Sequence, residues 1–176
     1  MSLTLPILLG LETESNLNGI KINFNNQASG VNVFGNTLFA KATGFLLGQP
    51  IVKIATFGYL HVFIHEMGHA LAAQLCGDPS PSINVYTSTC RGDTRFSEGA
   101  KFSRSQRLFI TLTGPILSTI WEIVKLISAI GLAILLPSPI GSTLGLFIGV
   151  GSAFWIFGEV AYACSKNGDW SFLNHL

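Results

Sequence analysis

The residues of this sequence best suited to chemistry form the pattern His-Glu-x-x-His over residues 65–69. Positions four apart share one face of a helix, so His65 and His69 can present two imidazole nitrogens to one metal ion. Zinc binds neutral imidazole and, in catalytic sites, keeps a coordination position for water, whose pKa it lowers. Glu66 is then the candidate general base beside that water. The pattern predicts a zinc-dependent hydrolytic site, and two buried histidines with purely structural partners are the alternative.

Two histidines leave such a site incomplete, because catalytic zinc typically has three protein ligands. Three further residues lie at the right end of their segments to complete it: Glu159, Asp169 and His61. Glu159 would come from a later helix, whereas Asp169 follows a flexible glycine. His61 lies four residues before His65 but is turned about 40° around the helix, which suits a polar wall better than a ligand.

The composition indicates a membrane protein. Of the 176 residues, 48% are hydrophobic and only 11% are charged, which is not the balance of a soluble domain. A formal net charge of +1 leaves no broad basic surface for phosphates, so nucleic acid is not an expected partner. The cysteines fit neither a disulfide framework nor a Cys-x-x-Cys metal site, and we interpret them as reduced thiols. They are Cys76, Cys90 and Cys164. The first apolar run, residues 3–11, has no basic residue before it, and we expect no cleaved signal peptide.

Three long apolar segments are predicted to be helices that span the membrane. The first runs over residues 51–76, between Pro50 and Gly77, and its length of about 39 Å exceeds the ~30 Å hydrocarbon layer. His69 would then lie about 10 Å from the end of that helix, within reach of water. The second segment is Leu108–Leu136 and the third is Ile140–Cys164.

Small and charged residues mark particular positions in the second and third segments. Gly114-Pro115 interrupts the second segment at about the depth of His69, where a kink would allow another helix or a peptide to approach closely. Glu122 and Lys125 are three residues apart and are predicted to form a structural ion pair. Glycines recur every four residues in the third segment and predict a flat strip for helix packing. They are Gly141, Gly145 and Gly149.

The polar loop of residues 77–107 separates the first two segments. It holds five of the ten lysines and arginines, so the positive-inside tendency places this loop, and with it the C-terminus, in the cytoplasm. Ile83–Thr89 and Asp93–Phe96 flank a glycine-containing turn at residues 90–92 and predict a β-hairpin. Such a hairpin is either a solvated connector or an edge strand that receives an extended substrate.

The fold class that follows is a mainly α integral membrane protein with a core of three transmembrane helices. A small β-hairpin lies in the cytoplasmic loop, and short strands are predicted near the N-terminus at Gly19–Phe24 and Val31–Phe34. We expect one membrane-embedded domain over residues 1–176. Within it, residues 1–49 form an N-terminal segment of strands or interfacial structure, and residues 50–176 form the three-helix core.

Over residues 50–172 the sequence resembles the site-2 protease family of intramembrane zinc metalloproteases. The resemblance is carried by the His-Glu-x-x-His helix, the polar hairpin loop, Gly114-Pro115 in the next segment and the late Asn167-Gly168-Asp169. It implies that His65, His69 and Asp169 bind zinc, that Glu66 is the base, and that peptide bonds in or beside the bilayer are hydrolysed. The family usually has an asparagine a few residues after Gly-Pro, where this chain has Ser118, and its late aspartate usually precedes a glycine.

The leading hypothesis is therefore a zinc endopeptidase that acts on membrane proteins or peptides in the lipid bilayer, with Glu66 as general base. A non-catalytic metal-binding or metal-transporting membrane protein is the alternative, and it would use the same histidines without this base. A continuous file of polar groups across the membrane would favour transport, but beyond the histidines the sequence offers only Glu122 and Lys125. A third possibility is a non-catalytic relative that binds membrane segments.

Overall fold

A computed structural model describes residues 13–25, 58–86 and 91–163, and every structural statement below concerns these ranges. Side chains are described from residue 14 to residue 160 within them. Four strands and three helices follow one another in the order β1, β2, α1, β3, β4, α2, α3. The elements are β1 Thr13–Leu17, β2 Ile20–Asn25, α1 Gly58–Leu75, β3 Ser82–Tyr86, β4 Arg91–Arg95, α2 Arg104–Leu135 and α3 Ile140–Ala163.

The four strands form one sheet in the order β1-β2-β3-β4. β1 and β2 are antiparallel and joined by Asn18 and Gly19, both of which have positive φ angles, 49° and 90°. This is the backbone that a two-residue hairpin turn requires, and Asn-Gly adopts it readily. β2 pairs in parallel with β3, and β3 pairs antiparallel with β4 in a register that places Ile83 opposite Thr94. The helix α1 lies in the sequence between the two parallel strands.

The sequence predicted part of this sheet. β2 confirms the strand expected at Gly19–Phe24, and β3 and β4 confirm the hairpin in the polar loop. The turn expected at residues 90–92 is placed wrongly, because Arg91 and Gly92 already pair within β4. β1 was not predicted as a strand. The strand expected at Val31–Phe34 lies outside the described residues.

The inner face of the sheet packs against α1 and forms the main hydrophobic core. Its apolar side chains alternate along β2 and β3, as the period of two along a strand requires. α1 contributes three apolar residues to the same core, and α3 contributes Trp155. The buried members are Ile20, Ile22, Phe24, Ile83, Val85, Val62, Met67 and Ala70. This packing fixes the sheet against the helix that carries the His-Glu-x-x-His pattern.

The end of α1 agrees with the predicted one to within a residue, whereas its predicted start at residue 51 lies outside the described residues. Gly77 stops the helix with a φ of +100°, a conformation that glycine adopts without strain. Asp78 is 1% exposed and accepts hydrogen bonds from the backbone nitrogens of Ser80 and Ser97. The carboxylate of Asp78 therefore ties the chain leaving α1 to the chain leaving β4.

α2 begins with a capping box, in which Ser103 and Gln106 satisfy each other's backbone N–H groups. The predicted interruption at Gly114-Pro115 is wrong in one respect, because the helix is continuous through Pro115. A proline removes one main-chain hydrogen bond, and the turns on either side are long enough to maintain the helix.

α3 confirms the third predicted helix and packs along α2 through the glycine strip. A Cβ at Gly141 would lie 2.6 Å from the carbonyl oxygen of Leu132, and one at Gly145 would lie 2.7 Å from that of Ala129. Side chains at these positions would push the two helices apart. The strip therefore packs closely against α2, as predicted from its spacing.

Two of the described helices, Arg104–Leu135 and Ile140–Val160, are long and apolar enough to cross a membrane. Their outward faces carry many exposed large apolar side chains, and extended apolar surfaces of this kind mark contact with other proteins or with a membrane. On α2 these are Ile116, Ile120, Ile123, Val124, Ile127, Ile130 and Ile134, and on α3 they are Leu144, Leu146, Phe147, Val150, Phe157 and Val160. These faces indicate a membrane protein. The 18 described residues of α1 are not among the candidate membrane spans.

Candidate metal centre

His65 and His69 lie one turn apart on α1, and their rings meet edge to face. The two Nε2 atoms are 3.0 Å apart, and the ring centroids are separated by 4.8 Å at an interplanar angle of 76°. Both residues are buried, with 8% of their surface exposed. The helical spacing therefore brings two imidazole nitrogens to one point, as the sequence predicted.

The other nitrogen of each ring faces an acceptor. Nδ1 of His69 donates a hydrogen bond to the backbone carbonyl of Ile110 in α2, at 2.7 Å. Nδ1 of His65 lies 2.8 Å from a carboxylate oxygen of Glu159 in α3, with the hydroxyl oxygen of Ser118 at 3.4 Å. A proton on each Nδ1 leaves a lone pair on each Nε2, which is the form in which imidazole binds a metal.

These two rings fit a zinc ion. Two nitrogen ligands of a tetrahedral zinc with bonds of about 2.0–2.1 Å lie roughly 3.3 Å apart, close to the separation found here. Two lone pairs facing each other at 3.0 Å also repel unless a proton or a cation is shared between them. Within the described ranges, no group of three or more His, Cys, Asp or Glu side chains has a metal-binding arrangement. Asp169 lies outside the described residues.

Of the other two candidate ligands, neither points toward the two Nε2 atoms. The carboxylate of Glu159 lies on the Nδ1 side of His65, and its second oxygen is 3.1 Å from Nε2 of His61. His61 in turn lies 2.7 Å from Glu122 through its Nδ1. Both residues therefore lie on the Nδ1 side of His65, away from the two Nε2 atoms, where they form a polar wall of the site and do not act as ligands.

Glu66 faces the hairpin. The hydroxyl of Thr94 lies 2.7 Å from the carboxylate oxygen Oε2 of Glu66 and 3.0 Å from its backbone carbonyl, so it can donate to one of the two at a time. A Cβ at Gly92 would come within 2.3 Å of Cγ of Glu66. β4 therefore contacts the Glu66 side chain in two ways. The hydroxyl of Thr94 lies within hydrogen-bonding distance of its carboxylate, and Gly92 leaves room for it because it has no side chain.

The close approach of α1 and α2 depends on two further glycines. A Cβ at Gly114 would lie 2.3 Å from Nε2 of His69, and a Cβ at Gly68 would lie 2.7 Å from the carbonyl oxygen of Thr113. The sequence predicted that Gly114 would lie near the depth of His69 and allow close approach. The approaching group is the metal-binding edge of the imidazole itself.

On the opposite face of the sheet, a row of polar side chains ties β4 to the central strands. Asn23 donates to Asn84 at 3.1 Å, Asn84 donates to Asp93 at 3.0 Å, and Arg95 donates to Asp93 at 2.9 Å. Partial burial, followed by a hydrogen bond with Asp93 and the negative charge of Asp93, raises the pKa of Tyr86. These contacts lock the register in which β4 presents Thr94 and Gly92 to the helix.

Sequence reasoning missed Thr94 as a functional candidate. The period of two along β4 places Thr94 and Gly92 on one face, but the sequence does not tell which face meets α1. Ser118 was identified only as a departure from the family pattern, and it lies beside His65 with none of its surface exposed.

A protein-family model described as Peptidase M50B-like matches residues 37–156, which is more than half of the chain. The matched range contains the His-Glu-x-x-His pattern, the hairpin and Gly114-Pro115, and it ends before Asp169. No curated protein and no solved structure matches the chain.

Proposed function

Because this chain belongs to the Peptidase M50B-like family, we propose that it is a membrane-embedded zinc endopeptidase that hydrolyses peptide bonds of membrane-spanning substrates. The family match confirms the resemblance to site-2 proteases. The observation that carries the proposal is the pair of imidazoles on α1, whose Nε2 atoms converge at 3.0 Å while both Nδ1 atoms face acceptors. Glu66 follows the first of these histidines and is held by the hairpin.

The proposed ligands are His65, His69 and Asp169. The first two are supported by their geometry, and Asp169 rests on the family resemblance alone. When bound, zinc would supply Lewis acidity toward the peptide carbonyl and the attacking water. The protein keeps each imidazole in one orientation through its Nδ1 contact, so that the rings need not reorganise to bind.

In the proposed mechanism Glu66 is the general base. Its carboxylate takes a proton from the attacking water and returns it to the amine that leaves. Glu66 is 8% exposed, and the burial limits its side chain to few positions. The hydroxyl of Thr94 lies 2.7 Å from Oε2 of Glu66 and so fixes the orientation of the carboxylate that acts as the base.

The hairpin also provides a place for an extended substrate. β4 is an edge strand of the described sheet. It pairs with β3 along one edge, and its other edge pairs with no described strand. A peptide that paired with this edge would lie about 4.8 Å from the strand that contacts Glu66. This contact supports the edge-strand interpretation of the loop over that of a solvated connector.

We propose three membrane-spanning helices, with α1 extended beyond its described residues as the first. The 77–107 loop and the C-terminus are then on the cytoplasmic side, as the concentration of basic residues favours. A transmembrane substrate has to unwind locally to reach Glu66, because a helical peptide has no free backbone groups to pair with β4.

One observation bears on the alternative of metal transport. Beyond His65 and His69, buried polar groups run from His61 to Glu122 and Lys125, the two residues that the sequence offered, and their contacts connect them into one file. It ends, however, in the ammonium of Lys125, 2.7 Å from Glu122. A fixed positive charge opposes the passage of a divalent cation, and we therefore favour the peptidase.

Zinc analysis of the detergent-purified protein tests the site. We expect one equivalent in the wild type and its loss when His65 and His69 are both replaced by alanine. Stoichiometric zinc retained by the double variant would place the metal elsewhere in the chain and contradict the proposal.

A further inference from the structure

Four ionisable side chains lie behind His65, and the proposed hydrolysis does not use them. They are almost fully buried, with exposures of 2% for His61, 0% for Glu122, 6% for Lys125 and 9% for Glu159. Each isolated charge in such a place would cost several kcal/mol, so the groups have to satisfy one another. We call these four residues the buried chain.

The buried chain is continuous and ends at a metal-binding ring. Nζ of Lys125 is 2.7 Å from Glu122, whose other oxygen is 2.7 Å from Nδ1 of His61. Nε2 of His61 is 3.1 Å from Glu159, whose other oxygen is 2.8 Å from Nδ1 of His65. Both oxygens of each carboxylate are therefore in contact with a nitrogen of a neighbouring residue.

The His61 ring lies between the two carboxylates of the buried chain. Its Nδ1 faces Glu122 and its Nε2 faces Glu159. The ammonium of Lys125 contacts the other oxygen of Glu122. The ring of His61 is also stacked on Trp155, with centroids 4.3 Å apart and an interplanar angle of 25°. Geometry and charge together hold Glu159 in one place.

We propose that Glu159 is a positioning residue for His65, and that the other three members of the buried chain hold Glu159 in position. Its carboxylate oxygen lies 2.8 Å from Nδ1 of His65, and its negative charge favours a proton on that nitrogen, which leaves the lone pair of the ring on Nε2, beside His69. This inference rests on the proposed function, because it assigns a role toward the zinc site. Outer-sphere partners of metal-binding histidines typically contribute about 10–100-fold to metal affinity.

The geometry separates this role from that of a third zinc ligand. Glu159 contacts Nδ1 of His65, whereas the nitrogen that faces His69 is Nε2, on the opposite side of the ring. A carboxylate on the Nδ1 side orients the ring and does not share its metal.

Competition of the purified protein against a zinc chelator measures the effect. Glu159→Leu, which preserves bulk in an apolar helix, is expected to bind zinc about 10–100-fold more weakly than wild type. Glu159→Gln keeps an acceptor oxygen, and its zinc affinity is expected to lie between those of Glu159→Leu and wild type. Unchanged affinity in Glu159→Leu would overturn the inference, and so would complete loss of zinc as in His65→Ala, since that would make Glu159 a ligand.

A double variant that removes Glu122 and Lys125 together tests the end of the buried chain that lies farthest from His65. Glu122→Gln combined with Lys125→Met keeps the net charge and leaves no buried charge unpaired. We expect the double variant to bind zinc more weakly than Ser152→Ala. This variant is the control, because Ser152 lies in α3, is also fully buried and does not belong to the buried chain. Equal affinity in the double variant and the control would show that Glu122 and Lys125 do not hold Glu159, and would overturn that part of the inference.

Nitrogen-15 NMR of labelled histidine reports the same role without metal or activity. In zinc-free wild type we expect the proton of His65 on Nδ1, with its signal identified by its loss in His65→Ala. Glu159→Leu should shift the proton partly to Nε2, and an identical tautomer in both proteins would overturn the inference. Absence of zinc binding by the wild type would instead overturn the proposed function, so the two failures are distinguishable.

Discussion

Gly114 of α2 lies directly against the imidazole of His69, so closely that a Cβ at Gly114 would be 2.3 Å from Nε2. The nitrogen concerned is the one that faces His65 at 3.0 Å. The glycine therefore sets the distance between the second helix and the candidate metal position.

Gly114→Ala is expected to displace the His69 ring and to weaken zinc binding roughly tenfold or more, because overpacking typically costs about 1–3 kcal/mol. The control is Gly131→Ala in the same helix, where a Cβ would meet no atom within 4 Å. Chelator competition on both variants checks the prediction. Equal affinities would show that the ring can move without loss of the site.

Thr94→Val preserves the shape of the side chain and removes the hydroxyl that holds Glu66. A hydrogen bond to a charged group contributes about 1.5–3 kcal/mol, so we expect cleavage about 10–100-fold slower with zinc content unchanged. Thr94→Ser keeps the hydroxyl and should restore most of the rate. Equally slow cleavage by the serine and valine variants would contradict this role of the Thr94 hydroxyl, since shape and not hydrogen bonding would then matter.

Gly92→Ala would place a methyl group 2.3 Å from Cγ of Glu66. We expect slower cleavage with normal zinc content, because the side chain of the base is displaced while both imidazoles keep their contacts. Comparison of kcat and zinc stoichiometry with Gly131→Ala checks this. Loss of zinc in Gly92→Ala would mean that the hairpin supports the metal site as well as the base.

The central part of the site could be predicted from the sequence because it is local. His65, Glu66 and His69 lie within one turn, and a helix places them without help from the rest of the chain. The end of α1 at Gly77 follows from an equally local rule. The start of α2 was predicted wrongly, because the helix begins at Arg104 behind the cap Ser103 and not at Leu108. The glycine strip of α3 was also predictable, because its spacing of four is a property of a single helix.

What the sequence did not predict depends on pairing between distant segments. β1 is an exception, because it was missed although it pairs with the adjacent β2 and Asn18-Gly19 is a strong local signal for a two-residue hairpin turn. The parallel pairing of β2 with β3 joins strands separated by a helix, and no local pattern specifies it. The contacts of Thr94 with Glu66 and of Glu159 with His65 likewise depend on how whole elements pack.

The orientation in the membrane is tested by thiol labelling of Cys90. In a variant with Cys76 and Cys164 replaced by serine, we expect an impermeant reagent to label Cys90 in inverted vesicles and not in intact cells. The reason is that five of ten basic residues lie in the 77–107 loop. Labelling in intact cells would invert the orientation and move the active site to the other face.

The central claim is that Glu66 acts as a general base beside a zinc ion held by His65 and His69. Glu66→Gln keeps the size of the side chain and removes the base, and a general base typically contributes about 10²–10⁴-fold to rate. The measurement compares wild type and variant on a membrane-spanning test substrate that unwinds easily and that the wild type cleaves. We predict that Glu66→Gln inserts normally, binds one equivalent of zinc and cleaves at least about a hundredfold more slowly. Equal rates in the two proteins would contradict the hydrolytic mechanism even with zinc present.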